Sequence, residues 1–167
     1  MRAPVILFLM NKINTREVSE AEAGSPHGKY KLFRKGLSVA LGGKKDAGTW
    51  GGGHPFDVEL VRIPPGAQNF PLHQHSAQWE FYLIVAGNGE VTDGTETNPV
   101  AAGDALLFPP EAAHEFTNTG AEDLVYYVVA DNPRADICFY PRTNRWAIKP
   151  PKKFFVMTEV PYYQPDE

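Results

Sequence analysis

The sequence has little cysteine, no long apolar run and few stretches that favour helices. Cys138 is the only cysteine among 167 residues, so the chain cannot form an internal disulfide. We interpret this thiol, which lies between Ile137 and Phe139, as buried and inert. No apolar stretch approaches the roughly 20 residues of a transmembrane helix. These shortages exclude a disulfide-stapled fold and predict no contact with a membrane.

The first apolar run, Val5–Met10, has only part of the pattern of a secretory signal. Asn11 and Lys12 interrupt it, and no cleavage site of small residues follows directly. We therefore expect a cytoplasmic protein.

The net charge is low and negative. A charge of −4 at pH 7 and a pI near 5.7 argue against a general nucleic-acid binder. Basic residues do cluster in Lys29–Lys45 and Arg134–Lys153, and we interpret both clusters as solvated faces of the terminal segments. The length fits a single domain, residues 1–167, with strand-like extensions at 27–48 and 133–160 around a core at 66–118.

Glycine and proline, 15 of each, separate short apolar or alternating runs throughout the chain. This spacing predicts an all-β fold. The expected strands are Tyr30–Phe33, Leu37–Leu41, Phe56–Ile63, Asn69–His75, Trp79–Ala86, Gly89–Asp93, Ala105–Phe108, His114–Asn118, Leu124–Asp131 and Phe154–Thr158. Helix signals are confined to Glu17–Ala23 and one turn at Pro133–Asp136.

Three histidines and one glutamate stand out as candidate metal ligands. His73 and His75 are two apart on an expected strand, so their side chains point to the same side. Glu80 follows after a short turn, and His114 lies in a separate expected strand. Three imidazoles and one carboxylate suit a divalent transition metal if the four side chains converge.

The residues around these ligands follow a two-part pattern. The first part runs Gly66, His73-Gln74-His75, Glu80 and Gly87, and the second runs Gly103, Pro109, His114 and Asn118. Together they resemble the two signature motifs of the cupin superfamily, over about a third of the chain. Two positions depart from those motifs: six residues instead of five separate Gly66 from His73, and Glu111 stands where glycine is usual. Glu111 puts the tight turn in doubt, since a side chain disfavours positive φ.

The resemblance implies a double-stranded β-helix, the jelly-roll barrel, in which His73, His75, Glu80 and His114 hold one metal ion. Iron, manganese, nickel, copper and zinc all accept this ligand set. Strand alternation then predicts an apolar, aromatic pocket for a small organic molecule. Its expected lining is Asn69, Gln78, Tyr82, Ile84, Phe108, Phe116 and Asn118. The glycine-rich loop Thr49–Pro55 is either a plain connection or a lid carrying Trp50 or His54 to the barrel mouth.

Two classes of function remain open. An enzyme would use the metal as a Lewis acid toward a small organic acid or aromatic, as dioxygenase, decarboxylase or isomerase members of the family do. A non-catalytic binder or sensor would use the metal to anchor its ligand, and no general base stands out beside the metal ligands. We also expect a homodimer formed through the apolar flanks Tyr30–Leu41 and Trp146–Met157.

Overall fold

The computed structural model describes residues 10–164, so nearly all of the run Val5–Met10 lies outside the described residues. The strands are β1 (Ala21–Gly24), β2 (Lys31–Gly36), β3 (Phe56–Ile63), β4 (Gln74–His75), β5 (Glu80–Ala86), β6 (Asn88–Thr92), β7 (Thr97–Ala101), β8 (Ala105–Phe108), β9 (Glu115–Thr117), β10 (Leu124–Asp131), β11 (Asp136–Tyr140), β12 (Arg145–Lys149) and β13 (Lys153–Val156). A helical turn, α1, spans Leu37–Ala40, and a 3₁₀ turn spans Thr49–Gly51. Within residues 10–164, no helix combines the length and apolar character needed to span a bilayer.

One wall of the barrel is a six-stranded antiparallel sheet in the order β1-β2-β3-β10-β5-β8. Its central strands, β3, β10 and β5, are rich in valine, isoleucine, leucine and aromatic residues, which favour strands. Alternation along these strands turns Val61, Tyr82, Ile84 and Tyr126 inward, where all four are buried.

The opposite wall consists of two smaller sheets, β13-β12-β11-β4 and β7-β6-β9. An isolated antiparallel bridge between His73 and His114 joins them, with backbone hydrogen bonds in both directions (3.3 and 2.9 Å). The apolar core fills the space between the walls. This arrangement confirms the predicted all-β jelly roll.

Two segments adopt a different secondary structure from the one expected. The strand β1 overlaps the end of the expected helix Glu17–Ala23. It is an edge strand paired with β2, because tertiary pairing overrides a weak helical propensity. Leu37–Leu41, expected as a strand, forms α1 instead. The hydroxyl of Ser38 accepts a hydrogen bond from the backbone N–H of Val58 (2.8 Å), which fastens this turn to β3.

Besides β1, three further strands were not among those expected from the sequence: β7, β11 and β12. β7 contains Pro99, which lacks a backbone donor and is tolerated because β7 is an edge strand. β11 and β12 pair with each other in the C-terminal extension, and β11 also pairs with β4. The expected helical turn at Pro133–Asp136 is therefore wrong, since Asp136 begins β11. This pairing brings the extension beside the histidines.

Candidate metal centre

The four predicted ligand residues lie together between the two walls. His73 and His75 belong to the segment that leads through β4, Glu80 begins β5, and His114 immediately precedes β9. All three histidines are buried, and the Glu80 side chain is only 12% exposed. The cluster therefore brings strands of both walls to one point inside the barrel.

The side-chain distances bring three of the four residues into one tight group. Ligand atoms of His73, Glu80 and His114 all lie within 4.8 Å of one another, and His114 Nε2 is 2.8 Å from Glu80 Oε2. His75 is the most peripheral member: its Nε2 lies 3.8 Å from Glu80 Oε1, and its ring centroid is 6.4 Å from that of His114.

Each imidazole is oriented through its Nδ1 atom. The Nδ1 atom of His73 lies 2.8 Å from the carbonyl oxygen of Pro71, and the Nδ1 atom of His114 lies 3.2 Å from the carbonyl oxygen of Ala112. The Nδ1 atom of His75 lies 2.5 Å from the Asp136 carboxylate. Carbonyl and carboxylate oxygens only accept, so each Nδ1 carries a hydrogen and Nε2 is the ring atom that remains to bind a metal.

This donor set fits a divalent transition metal. Metal-binding histidines commonly donate the second ring N–H to a carboxylate or carbonyl, which fixes the tautomer that binds metal. The 2.8 Å separation of His114 Nε2 and Glu80 Oε2 also suits two ligands that share one ion, each bound at about 2.0–2.2 Å. Imidazole nitrogen and carboxylate oxygen together favour such metals over calcium or magnesium.

The protonation states of the ligands also suit a metal. Burial, reinforced by repulsion from His114, lowers the pKa of His73 to about 3, so this imidazole is neutral near pH 7. Burial opposes ionisation of Glu80, but its hydrogen bond with His114 and the nearby imidazoles bring the pKa of this carboxyl well below its usual range. A neutral imidazole and an ionised carboxylate are the forms that bind metal.

Tyr82 supports the glutamate from the next inward position of β5. Its hydroxyl donates to Glu80 Oε2 (2.9 Å) and lies 3.4 Å from His114 Nε2. Burial and the negative charge of Glu80 raise the pKa of Tyr82 well above its ordinary value. The phenol therefore stays protonated and acts as a hydrogen-bond donor that orients Glu80.

A cavity of about 150 Å³ opens beside the cluster, with His73, His75 and Glu80 in its wall. Its lining is more polar than the sequence predicted. Besides aromatic and aliphatic side chains, it contains charged residues of both signs from outside the predicted motifs: Arg34, Lys45, Asp46, Asp57, Glu59, Lys149 and Lys152. The cavity therefore combines the expected apolar and aromatic side chains with more charged groups than the sequence indicated.

Only two of the predicted pocket residues, Gln78 and Tyr82, line this cavity. The other five lie elsewhere: Asn69, Ile84, Phe108, Phe116 and Asn118. Asn69 and Asn118 satisfy backbone groups, as the Oδ1 atom of Asn69 accepts from the N–H of Phe116 (2.9 Å) and the Nδ2 atom of Asn118 donates to the Ile63 carbonyl (2.7 Å). Ile84 and Phe116 are in the core. Phe108 stacks on the imidazole of His114, with 4.3 Å between the ring centroids.

Sequence reasoning missed several residues of the site because they are distant along the chain. Asp136 and Cys138 come from β11, which pairs with β4, and Glu59 comes from β3. Ligand atoms of His73, His75 and Cys138 lie within 4.8 Å of one another. Burial raises the pKa of Cys138 to about 11, which agrees with the expectation of an inert thiol. The sequence signal for this strand is its apolar run, Ile137–Tyr140.

The glycine-rich loop contributes its flank, not its predicted residues, to the site. Trp50 and His54 are absent from the lining of the cavity as described over residues 10–164, whereas Lys45 and Asp46, just before the loop, belong to it. The Asn132 amide donates to the carbonyl of His54 (3.1 Å), which fastens the loop to the end of β10. The connection role therefore describes Thr49–Pro55 better than the lid role.

Comparison with known proteins identifies relatives of the central part of the chain. The cupin domain model matches residues 59–130. An oxalate-binding protein of Thermotoga maritima is 33% identical over 69 residues, which make up 41% of this chain and 56% of that protein. The chain thus spans about half the length of this relative. An uncharacterized protein of Streptomyces coelicolor is 30% identical over 117 residues, covering 70% of this chain and 91% of that protein.

A solved structure shares the same fold. The sugar phosphate isomerase of the cupin superfamily from Silicibacter pomeroyi superposes with a TM-score of 0.71 over 86% of this chain and 91% of that one. The two sequences are 22% identical, so the similarity shows the fold alone.

Proposed function

The chain belongs to the cupin superfamily, and from that premise we propose that it binds one divalent transition metal through His73, His75, Glu80 and His114 and acts on a small organic acid. One observation carries this proposal. All three imidazoles have their Nδ1–H groups committed to oxygen acceptors, which leaves three Nε2 atoms to bind a metal beside an ionised carboxylate.

When bound, the metal would supply a Lewis acid that holds and polarises a carboxylate or carbonyl oxygen of the ligand. The protein residues provide the rest. His73, His75 and Glu80 face the cavity, so a ligand in the cavity reaches the metal centre from that side. Tyr82 holds Glu80 by a hydrogen bond, and Asp136 holds His75. Iron, manganese, nickel, copper and zinc all remain candidates, since each accepts imidazole and carboxylate ligands.

A small acid is the ligand class that best fits the cavity. The volume of about 150 Å³ suits a molecule of a few carbon atoms, and basic side chains line the cavity. The similarity to an oxalate-binding protein supports the same class of ligand. Among reactions of such acids, oxygen-dependent oxidation, decarboxylation and isomerisation are the ones we propose to test first.

Non-catalytic binding is the second candidate, and the contacts of Glu59 favour it. This carboxylate is the obvious base candidate in the cavity besides Glu80, yet it is shared by two cations. The Arg34 guanidinium lies 3.8 Å from it and the Lys45 ammonium is in direct contact. Both carboxylate oxygens of Glu59 are thus occupied, Oε2 by Arg34 and Oε1 by Lys45, so binding without turnover agrees with this arrangement.

Assays of the protein loaded separately with each of the five metals test the proposal. Small mono- and dicarboxylic acids are offered while oxygen uptake, carbon dioxide release and isomer formation are followed. We expect metal-dependent turnover that is lost in His73→Ala and Glu80→Ala and kept in His27→Ala, which changes an exposed histidine. Saturable, metal-dependent binding without product would support the binder. Turnover that survives metal removal would contradict both.

A further inference from the structure

Four basic side chains line the same cavity as the metal ligands. Arg34 comes from β2, Lys45 from the following loop, Lys149 from the end of β12, and Lys152 from the turn before β13. We call these four residues the rim cluster, because they are more exposed than the buried ligands at the other end of the cavity. These four side chains, which we interpreted from the sequence as part of solvated faces, also line the cavity.

The rim cluster is built by parts of the chain outside the cupin domain match at residues 59–130. The N-terminal extension reaches the cavity through the pairing of β2 with β3. The C-terminal extension reaches it through the pairing of β12 with β11 and of β11 with β4. Both extensions therefore deliver positive charge to one place, which the general architecture of the barrel does not require.

The acidic side chains of the cavity, Asp46, Asp57, Glu59 and Glu80, form direct ion pairs with only part of the cluster. Glu59 is shared between Arg34 and Lys45. Within the described residues 10–164, no carboxylate lies within 4.0 Å of the ammonium groups of Lys149 and Lys152. The Lys149 ammonium instead lies 3.5 Å from the neutral Oε1 atom of Gln78, whose own amide donates to the Asp131 carbonyl. Two ammonium groups beside the cavity thus lack an ionic partner.

The cations of the cluster also repel one another. Burial, followed by repulsion from Lys149, lowers the pKa of Lys152; the Asp46 carboxylate opposes this shift, and Lys45 and Arg34 add to it. Bringing like charges together costs free energy, and an anion placed among them removes that cost. An anionic group is therefore the chemical partner that this end of the cavity fits.

We propose that the rim cluster is an anion-binding subsite that holds the second acidic group of a ligand whose first acidic group lies at the metal centre. The inference rests on the proposed function, because it uses the metal centre as the anchor for the first group. It narrows the ligand class from small organic acids to acids with two anionic groups, the second being a carboxylate or a phosphate-like group.

Sheet geometry sets the approximate length of such a ligand. Glu80 is on β5 and Glu59, which contacts Lys45, is on β3, with β10 between them. Neighbouring strands lie about 4.8 Å apart, so the two backbones are roughly 10 Å apart. The side chains reach into the cavity from both ends, so a ligand with a chain of about three carbon atoms between its acidic groups can contact both.

Calorimetric titration of the metal-loaded protein with three probes tests the subsite. Butyrate, glutarate and 4-phosphonobutyrate share a carboxylate and a three-carbon chain but differ in the second group. We expect glutarate or 4-phosphonobutyrate to bind about tenfold or more tightly than butyrate, which is the effect of one hydrogen bond to a charged group. The better of these two probes identifies the second group as carboxylate or phosphate-like.

Paired lysine variants locate the effect. The double variant Lys149→Met with Lys152→Met should abolish the tighter binding of the probes that carry a second acidic group. It should leave the affinity for butyrate and the metal content unchanged. Lys44→Met with Lys153→Met, which removes equal charge from exposed lysines outside the cavity lining, should keep the gain. Equal affinity for all three probes, or a gain that survives the first pair, would overturn the subsite while the metal centre stands. Wild-type protein that retains no metal would overturn both proposals.

Discussion

One acceptor atom sets the tautomer of each imidazole at the metal centre. For His75 this acceptor is Asp136, whose carboxyl resists ionisation through burial but is held at a pKa of about 2 by the hydrogen bond from His75. The other oxygen of Asp136 accepts from the N–H of Ala77 (3.0 Å) and the hydroxyl of Ser76 (3.3 Å). A single buried carboxylate thus orients a ligand and ties the ends of β4 and β11 together.

Replacement of Asp136 by asparagine should therefore weaken metal binding. The amide can donate to Nδ1 of His75, which would shift the imidazole hydrogen to Nε2 and block the lone pair that binds metal. We expect a loss in metal affinity of about 10- to 100-fold, measured by competition with a chelator of known affinity.

Asp131→Asn is the matched control for this substitution. Asp131 is also at the end of a strand and accepts a hydrogen bond from the N–H of Trp79 (2.8 Å), but it does not contact an imidazole. Its replacement should leave metal affinity within about twofold of the wild-type value, given that ordinary surface substitutions have small effects. Equal affinity of Asp136→Asn and wild-type protein would exclude the orienting role of Asp136.

Alternation along a strand predicted that His73 and His75 point to the same side, and the resemblance to the cupin motifs implied that Glu80 and His114 join them. Neither could predict Asp136 or Glu59. Asp136 is 61 residues from His75, and the pairing of β11 with β4 that brings them together leaves no mark in either local pattern.

At the scale of elements, the turn before β9 keeps a tight geometry without the usual glycine. Glu111 has a φ of 71°, in the left-handed region that side chains disfavour. Its N–H donates to the carbonyl of His75 (2.7 Å), so the turn is fixed to the strand that carries two ligands. The tight turn is therefore kept although glycine is replaced by Glu111, which adopts a strained conformation.

Glu111→Gly should accordingly stabilise the protein. Glycine adopts positive φ without steric cost, although its greater freedom in the unfolded chain offsets part of the gain. We expect the free energy of unfolding to rise by about 0.5–1 kcal/mol in urea denaturation.

Glu90→Gly is the control, because Glu90 is inside β6 with a neighbour on each side. Glycine in a strand interior should lower the free energy of unfolding by about 0.5–1 kcal/mol. The two substitutions are chemically identical and should have opposite signs. A destabilised Glu111→Gly variant would mean that the glutamate side chain makes a stabilising contact that outweighs the strain.

The elements that the sequence predicted best are those that bury one face. β3, β8 and β10 match their expected bounds, since apolar residues alternate or run continuously between clear turn signals. β1 and β7 were not predicted because they are edge strands with few large apolar residues. Pro99 in β7 also argued against a strand there, because proline cannot donate a backbone hydrogen bond.

At the scale of the whole molecule, exposed apolar side chains accumulate on the terminal flank. On β13, Phe154, Phe155 and Val156 are 52, 41 and 73% exposed. Apolar surface of this kind commonly marks a contact between proteins. The expected dimer through the terminal flanks agrees with this surface and stays a prediction.

Light scattering after gel filtration at micromolar concentration measures the mass directly. We expect about twice the 18.5 kDa of one chain, and a shift toward 18.5 kDa in Val156→Glu. Val85→Glu, which places the same charge at an exposed valine of β5 outside both flanks, should remain dimeric. A mass of 18.5 kDa for the wild-type protein would exclude this dimer.

The central claim is that the four convergent side chains bind a metal ion, and elemental analysis of protein purified without a chelating tag tests it most directly. We expect close to one equivalent of iron, manganese, nickel, copper or zinc per chain in the wild type and in His27→Ala, and loss of this metal in His73→Ala. Absence of metal from the wild type even after reconstitution, or full retention in His73→Ala, would contradict the account.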